Sequence, residues 1–156
     1  PLGYSRMMRE YETIYVLKSE LDDKSAKAFM LKMKEIVTEK GGKNVQVACM
    51  GRRKLAWLCN KQSRGIFVNH TYLGMPGLSK EIERLLGIDE SVMLRQTMLL
   101  AKNVDESTKP ELEDNLTIEV VRERREQPQS YFSEGRDNEP MSAEDVRKRP
   151  ARAEMN

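Results

Sequence analysis

One stretch of the chain combines the residue types that bind a phosphate backbone. Gly51 is followed by three consecutive cations, Arg52, Arg53 and Lys54, and the only tryptophan, Trp57, comes three residues later. Because neighbouring side chains of an extended segment point to opposite faces, Arg52 and Lys54 are predicted to share one face. Cations beside an aromatic ring are typical of surfaces that bind nucleic acid. The alternative is a solvated charge cluster beside an ordinary core strand.

The side chain of Trp57 has two interpretations. It shares a face with Leu55 in an extended segment, which favours a place in the hydrophobic core. The alternative is an exposed ring that stacks on a base. The substitution Trp57→Ala separates them, because truncating a core indole costs about 3–5 kcal/mol of stability. Truncating a stacking ring would instead cost about 1–3 kcal/mol of RNA affinity.

The residues that usually build catalytic or metal sites are too few for either. Cys49 and Cys59 form no CxxC motif, and His70 is the only histidine, so a zinc site lacks its usual ligands. No nucleophile, base and orienting group can be assembled, and the glycine motifs that cradle phosphates are absent. We therefore predict no metal, no cofactor and no small-molecule substrate. His70 and Cys49 are predicted to be structural.

Charge is distributed unevenly along the 156 residues. Residues 1–101 carry 17 Lys and Arg against 11 Asp and Glu, a net charge of +6. Residues 102–156 carry 10 against 14, a net charge of −4. A basic folded part fits a polyanionic partner. No apolar run, residues 98–101 included, is long enough for a signal peptide or a membrane span, so we expect the cytoplasm or an organelle matrix.

Hydrophobic periodicity predicts six elements of secondary structure. Runs of β-branched and aromatic residues indicate strands, and apolar residues at helical spacing indicate two helices that end at glycines. Asp22 or Asp23 would cap the first helix, and Gly77 or Ser79 would start the second. The elements follow in this order: strand 10–18, a helix ending at 41–42, strand 45–58, a turn at 61–65, strand 66–73, a helix ending at 87, and strand 92–101.

This order favours an α+β fold, in which a four-stranded antiparallel sheet carries two helices on one face in the ferredoxin-like split β-α-β arrangement (βαββαβ). Residues 1–6 are predicted to be disordered and begin with what resembles the scar of a cleaved purification tag. Residues 7–102 are predicted to form an RNA-binding domain, and residues 103–156 a charged, largely disordered extension. A marginal helix is expected at residues 116–127. Truncation after residue 103 is expected to change the thermal midpoint little.

Four short motifs resemble those of the ribosomal small-subunit protein six family of bacteria and organelles, and together they span about residues 7–102. They are Met8-Arg9-Glu10-Tyr11-Glu12, Gly51-Arg52-Arg53-Lys54-Leu55-Ala56-Trp57, Gly65-Ile66-Phe67 and Val92-Met93-Leu94-Arg95. The resemblance implies a protein that is not an enzyme. It also implies binding to the central domain of small-subunit ribosomal RNA, together with small-subunit protein eighteen. The candidate RNA-binding residues in these motifs are Arg9, Tyr11, Arg52, Arg53, Lys54, Trp57 and Arg95.

Two other function classes can be compared with a ribosomal protein on the sequence alone, and the sequence argues against the first. Small ferredoxin-like domains include acylphosphatases, for which Arg52 and Asn60 or Asn69 would have to act as the catalytic pair. The stretch after the first strand, residues 19–23, is acidic and would repel phosphate, which argues against that activity. The other class is a free-standing translational regulator that binds RNA or protein through its sheet. Co-sedimentation with small ribosomal subunits would separate such a regulator from a ribosomal component.

Overall fold

The computed structural model describes residues 7–121. Its four strands form one antiparallel sheet in the order β2-β3-β1-β4, and the two helices share one core with one face of that sheet. The predicted ferredoxin-like βαββαβ arrangement is confirmed. The elements are β1 (Met7–Lys18), α1 (Asp23–Glu39), β2 (Lys43–Cys59), β3 (Gln62–Gly74), α2 (Leu78–Ile88) and β4 (Val92–Asp105).

The core lies between the helices and the face of the sheet that they cover. β1 is a central strand, and its alternate residues Tyr11, Tyr15 and Leu17 are buried in this core. Each helix contributes apolar residues three or four positions apart, which is why both segments are amphipathic and helical. The buried helical residues are Ala26, Met30, Met33 and Val37 of α1 and Leu78, Ile82 and Leu86 of α2.

Three of the four helix ends use residues that the sequence singled out, whereas α2 continues past the predicted end at Gly87 to Ile88. The carboxylate of Asp22 accepts a hydrogen bond from the Ser25 amide, so Asp22 is the N-cap of α1. Gly41, which follows α1, has a positive φ of 76°, a conformation that glycine adopts without steric cost. Gly77 is the N-cap of α2. Cys49 is buried in the core, as predicted.

The turn between β2 and β3 differs from the prediction. It was expected at residues 61–65, with β3 starting at residue 66, but β3 starts at Gln62 and Cys59 pairs with Gln62. The two residues between them, Asn60 and Lys61, both have positive φ, 48° and 62°. Two left-handed residues make a type I′ turn, whose twist matches that of the flanking strands. The hairpin is therefore longer and its turn tighter than the polar run suggested.

A buried polar network joins β2, β3 and α1. The Asn44 amide group donates to the Lys34 carbonyl and to the Thr38 hydroxyl, each at 2.9 Å. Its Oδ1 therefore faces His70 Nε2, 2.8 Å away, and Nε2 carries the hydrogen. Burial lowers the pKa of His70 to about 4. The ring is thus neutral and structural, as predicted.

The chain after β4 crosses from one edge of the sheet to the other. Lys109 forms an ion pair of 2.9 Å with the buried Glu10 of β1 on the way. Residues 111–121, the edge segment, then run parallel to the outer edge of β2. Leu116 and Ile118 of this segment pack against the main core.

The edge segment differs from what the sequence predicted for this part of the chain. Residues 103–121 were assigned to a largely disordered extension, whereas β4 continues to Asp105 and residues 111–121 contact β2. The helix expected at 116–127 is wrong for residues 116–121, which are extended. Leu116, Ile118 and Val120 alternate with polar residues, and that period of two indicates a strand. The predictions for residues 1–6 and 122–156 concern parts of the chain outside the described residues.

Residues 7–121 contain neither a membrane-spanning helix nor a metal-binding cluster. No helix there is long and apolar enough to cross a membrane. No group of three or more His, Cys, Asp and Glu side chains in the same range is placed to hold a metal ion.

Candidate nucleic-acid interface

The turn end of the β2–β3 hairpin is irregular and exposes its apolar side chains. Lys54 pairs with Arg64 and Cys59 pairs with Gln62, so four residues of β2, 55–58, oppose a single residue of β3. A bulge of this kind interrupts the alternation of inward and outward side chains. Leu55 is buried, but the next three residues are all exposed. The bulge therefore holds an aromatic and an aliphatic side chain out from the sheet.

Trp57 is not a core residue. Its side chain is 67% exposed and that of the neighbouring Leu58 is 71% exposed. The prediction of a core position assumed that Trp57 follows Leu55 in regular alternation, and the bulge removes that relationship. An exposed indole beside cations is the arrangement that base stacking requires.

The hairpin is basic throughout and contains no carboxylate. No Asp or Glu occurs between residues 43 and 74, so no acidic side chain of the hairpin itself offsets its charge. Four of its cations are exposed near the bulge and the turn. Clustered positive charge raises the local concentration of a polyanion and speeds its association. The six Lys and Arg residues of the hairpin are Lys43, Arg52, Arg53, Lys54, Lys61 and Arg64.

Arg52 differs from its neighbours because its side chain forms an ion pair and is only partly exposed. Its guanidinium lies 2.8 Å from the Asp23 carboxylate at the start of α1 and donates to the Leu21 carbonyl at 2.8 Å. The side chain is only 21% exposed. Arg52 therefore ties the hairpin to α1, and Arg53 and Lys54 are the cations of the predicted cluster that are exposed to solvent.

The remaining predicted residues are dispersed over the sheet. Arg95 of β4 is exposed and pairs with Tyr15, and its guanidinium fills the space that a Cβ at Gly87 would occupy. Arg9 is partly exposed at the end of β1 far from the hairpin turn. It lies eight residues before Leu17, and Leu17 is level with Arg52 because both residues pair with Ile66 of β3. At about 3.3 Å per residue, that separation is roughly 26 Å.

Tyr11 is buried, and its placement limits what it can contact. Its side chain is 5% exposed, and its ring centroid lies 5.8 Å from that of Tyr72 in the core. A ring in that position cannot stack on a nucleotide unless the core opens, so Tyr11 lies outside the candidate interface.

Two exposed cations of the hairpin were not among the site residues predicted from the sequence. Lys61 and Arg64 fall in the segment that was treated as a turn, yet they lie on the same hairpin end as Arg53 and Lys54. The absence of Asp and Glu from residues 43–74 is the signal that would have drawn attention to them.

Comparison with known families identifies the chain. The family model described as ribosomal protein S6 matches residues 10–100, which include both helices and almost all of the sheet. The chain belongs to the ribosomal protein S6 family. Members of this family are components of the small ribosomal subunit and not enzymes. The match ends before the edge segment, so the family assignment carries no information about residues 111–121.

Individual members of the S6 family are similar over the same region. The small ribosomal subunit protein bS6 of Desulforamulus reducens is 34% identical over 86 residues, which cover 55% of this chain and 90% of that protein. The bS6 protein of Clostridium novyi is 37% identical with the same coverage. That of Citrifermentans bemidjiense is 36% identical over 98 residues, covering 63% of this chain and 73% of the relative.

A solved structure supports the same fold. The crystal structure of 30S ribosomal protein S6 from Thermotoga maritima superposes with a TM-score of 0.57 at 22% identity. The superposition covers 59% of this chain and 87% of the other. At this identity the likeness concerns the fold alone.

Proposed function

We propose that this protein binds small-subunit ribosomal RNA with the turn end of the β2–β3 hairpin. The observation that carries the proposal is the combination of exposed Trp57 with exposed cations on a hairpin that has no carboxylate. Membership of the ribosomal protein S6 family supports a place in the small subunit. The central domain of the RNA, implied by the sequence resemblance, is the proposed target.

The proposed contacts divide into two kinds. Arg53, Lys54, Lys61 and Arg64 would neutralise phosphates, and the released counterions would make the affinity depend strongly on salt. The indole of Trp57 would stack on an unpaired base, which suits RNA because its loops and bulges present such bases. Phosphate contacts position the protein, whereas stacking selects single-stranded sites. The hairpin would therefore recognise RNA shape more than sequence.

Arg9 and Arg95 belong to the proposal in a different way. Arg9 lies at the opposite end of β1 from the hairpin turn, whereas Arg95 is two residues after Met93, whose carbonyl lies 3.9 Å from the Cys59 Sγ beside that turn. A flat contact with one RNA helix would not include all of them. We propose that they meet separate stretches of backbone, so that a folded RNA, and not a single strand, satisfies the whole set. Arg52 supports the hairpin through Asp23 and would contribute to binding mainly through its charge.

The proposed protein partner is small-subunit protein eighteen, and β4 is the surface that fits it. Within residues 7–121 no strand pairs with the outer edge of β4. Three consecutive apolar residues of this strand, Met98, Leu99 and Leu100, are exposed. An unpaired edge with exposed apolar side chains is a site to which another chain can add. The main RNA contact would then be the hairpin end, and the second protein would pair with the β4 edge.

The test uses an RNA fragment of the central domain and the full protein. Fluorescence anisotropy is measured over a series of salt concentrations, with and without protein eighteen. We expect weak, salt-dependent binding alone and much tighter binding with the partner. Equal affinity with and without protein eighteen would contradict the joint assembly, and salt-independent affinity would contradict the phosphate contacts. A free-standing regulator would fail to co-sediment with small ribosomal subunits at moderate salt, whereas the protein proposed here co-sediments.

A further inference from the structure

The outer edge of β2 is occupied by the protein's own edge segment. The Cys49 amide donates to the Asn115 carbonyl at 2.6 Å, and the Arg52 amide donates to the Glu119 carbonyl at 2.7 Å. In the reverse direction, the Asn115 amide donates to the Val47 carbonyl at 2.9 Å, and the Val121 amide donates to the Arg52 carbonyl at 3.1 Å. The backbone groups that a sheet edge normally presents to solvent or to another chain are thus paired within the molecule.

Side chains fix the register of this pairing. The Asp114 carboxylate accepts from the Val47 amide at 2.9 Å and from Lys34 Nζ at 2.6 Å. Burial raises the pKa of Asp114, but the Lys34 ammonium and the Val47 amide outweigh it and hold that pKa below its usual value. Lys34 also lies 3.3 Å from the Glu111 carboxylate. Because one lysine of α1 binds two carboxylates, the segment is held to the helix as well as to the strand.

The shape of β2 allows the close approach. Gly51 has a positive φ of 83°, and a Cβ at this position would collide with the Glu119 carbonyl. The φ value favours glycine, and the collision excludes every other residue unless the segment moves. Gly51 therefore lies at the register shift of β2 and also leaves the space that the Glu119 backbone occupies.

We propose that residues 111–121 mask the β2 edge against pairing with a second copy of this chain. An unmasked edge would present the amides of Cys49 and Arg52 and the carbonyl of Val47, together with alternating apolar side chains, which is a template for strand addition. The second strand would be β2 of another copy, because two identical edges can pair antiparallel about a two-fold axis and so form a closed dimer.

The segment replaces this edge with one that resists self-pairing. It carries four acidic residues and no basic residue. Two of them, Glu113 and Glu119, are exposed and form no ion pair within residues 7–121, so two masked edges repel each other. These acidic residues are Glu111, Glu113, Asp114 and Glu119. This proposal does not depend on RNA binding, and it gives the segment beyond the matched family residues a role of its own.

The test is the substitution Asn115→Pro in the full chain. Proline removes the amide that bonds to the Val47 carbonyl, and Asn115→Ala is the matched control because it loses the side chain and keeps that amide. Hydrogen exchange is followed at the amides of Cys49 and Arg52, whose outward bonds go to the edge segment. Sedimentation velocity over a wide range of protein concentration gives the oligomeric state.

The parent chain and Asn115→Ala are expected to be monomeric with both amides protected. Asn115→Pro is expected to lose that protection when dilute, and to dimerise and regain it when concentrated. The proposal would be overturned if Asn115→Pro stayed monomeric at every concentration with both amides exposed. It would also be overturned if both amides stayed protected in dilute Asn115→Pro, or if the parent chain dimerised as strongly as Asn115→Pro. Should the proline variant unfold, Asp114→Ala removes two of the anchoring contacts without altering the backbone, and the same outcomes apply to it.

Discussion

Replacing Arg53 and Lys54 together with alanine should weaken RNA binding and make it less sensitive to salt. Each phosphate contact contributes about 0.7 to 0.9 to the slope of log affinity against log salt, so losing two contacts should reduce the slope by about 1.4 to 1.8. Both side chains are exposed, and exposed charges contribute little to stability, so the free energy of unfolding should change by less than about 0.5 kcal/mol. Arg52 is left intact because its ion pair with Asp23 would mix stability with affinity.

The matched control is Lys32→Ala combined with Lys80→Ala. Both lysines are exposed on the helices, and their removal changes the net charge by the same amount. Anisotropy with the central-domain fragment gives the slope, and urea titration gives the stability. The reasoning is refuted if the hairpin variant keeps the parent slope. It is equally refuted if the control loses as much slope as the hairpin variant, because net charge and not position would then explain the affinity.

Three further substitutions test separate parts of the account. Trp57→Ala should cost about 1–3 kcal/mol of RNA affinity in the anisotropy assay and leave urea stability nearly unchanged, since the indole is 67% exposed. The pKa of His70 is about 4 in the folded chain and 6.5 in the unfolded chain, so the unfolded chain takes up the proton first as the pH is lowered. The free energy of unfolding should therefore decrease as the pH falls from 6.5 to 4, by up to about 3 kcal/mol. In urea titrations at stepped pH, His70→Gln should remove that part of the fall. Ile118→Ala should cost about 1–2 kcal/mol in the same assay, whereas exposed Val120→Ala should cost less than about 0.5 kcal/mol.

The fold class followed from local patterns that the tertiary structure preserves. The apolar residues of α1 recur at helical spacing and all face one core, and Asp22 and Gly41 mark its ends by the chemistry of helix capping. In these regions the local preference and the final packing agree, so reading the periodicity is sufficient.

The site was less predictable because its geometry depends on irregular and distant pairing. Alternation places Trp57 with Leu55, and only the pairing of Lys54 with Arg64 reveals the bulge that separates them. Asp23 lies 29 positions before Arg52, so no local sequence pattern predicts their ion pair.

The edge segment was missed for a related reason. The polar composition of the extension as a whole hides the short alternation of Leu116, Ile118 and Val120. The partner strand of the segment, β2, lies more than fifty residues earlier in the sequence and pairs with it in parallel. Neither the composition nor the local periodicity of the sequence predicts that the edge segment pairs with β2.

Ultraviolet cross-linking of assembled small subunits tests the central claim most directly. No acidic residue lies between Glu39 and Glu81, so digestion after Asp and Glu releases the whole hairpin in one peptide for mass spectrometry. We expect RNA cross-links in this peptide, at or near Trp57. Cross-links confined to peptides of α1 and α2, with none in the hairpin peptide, would contradict the claim that the hairpin faces the RNA.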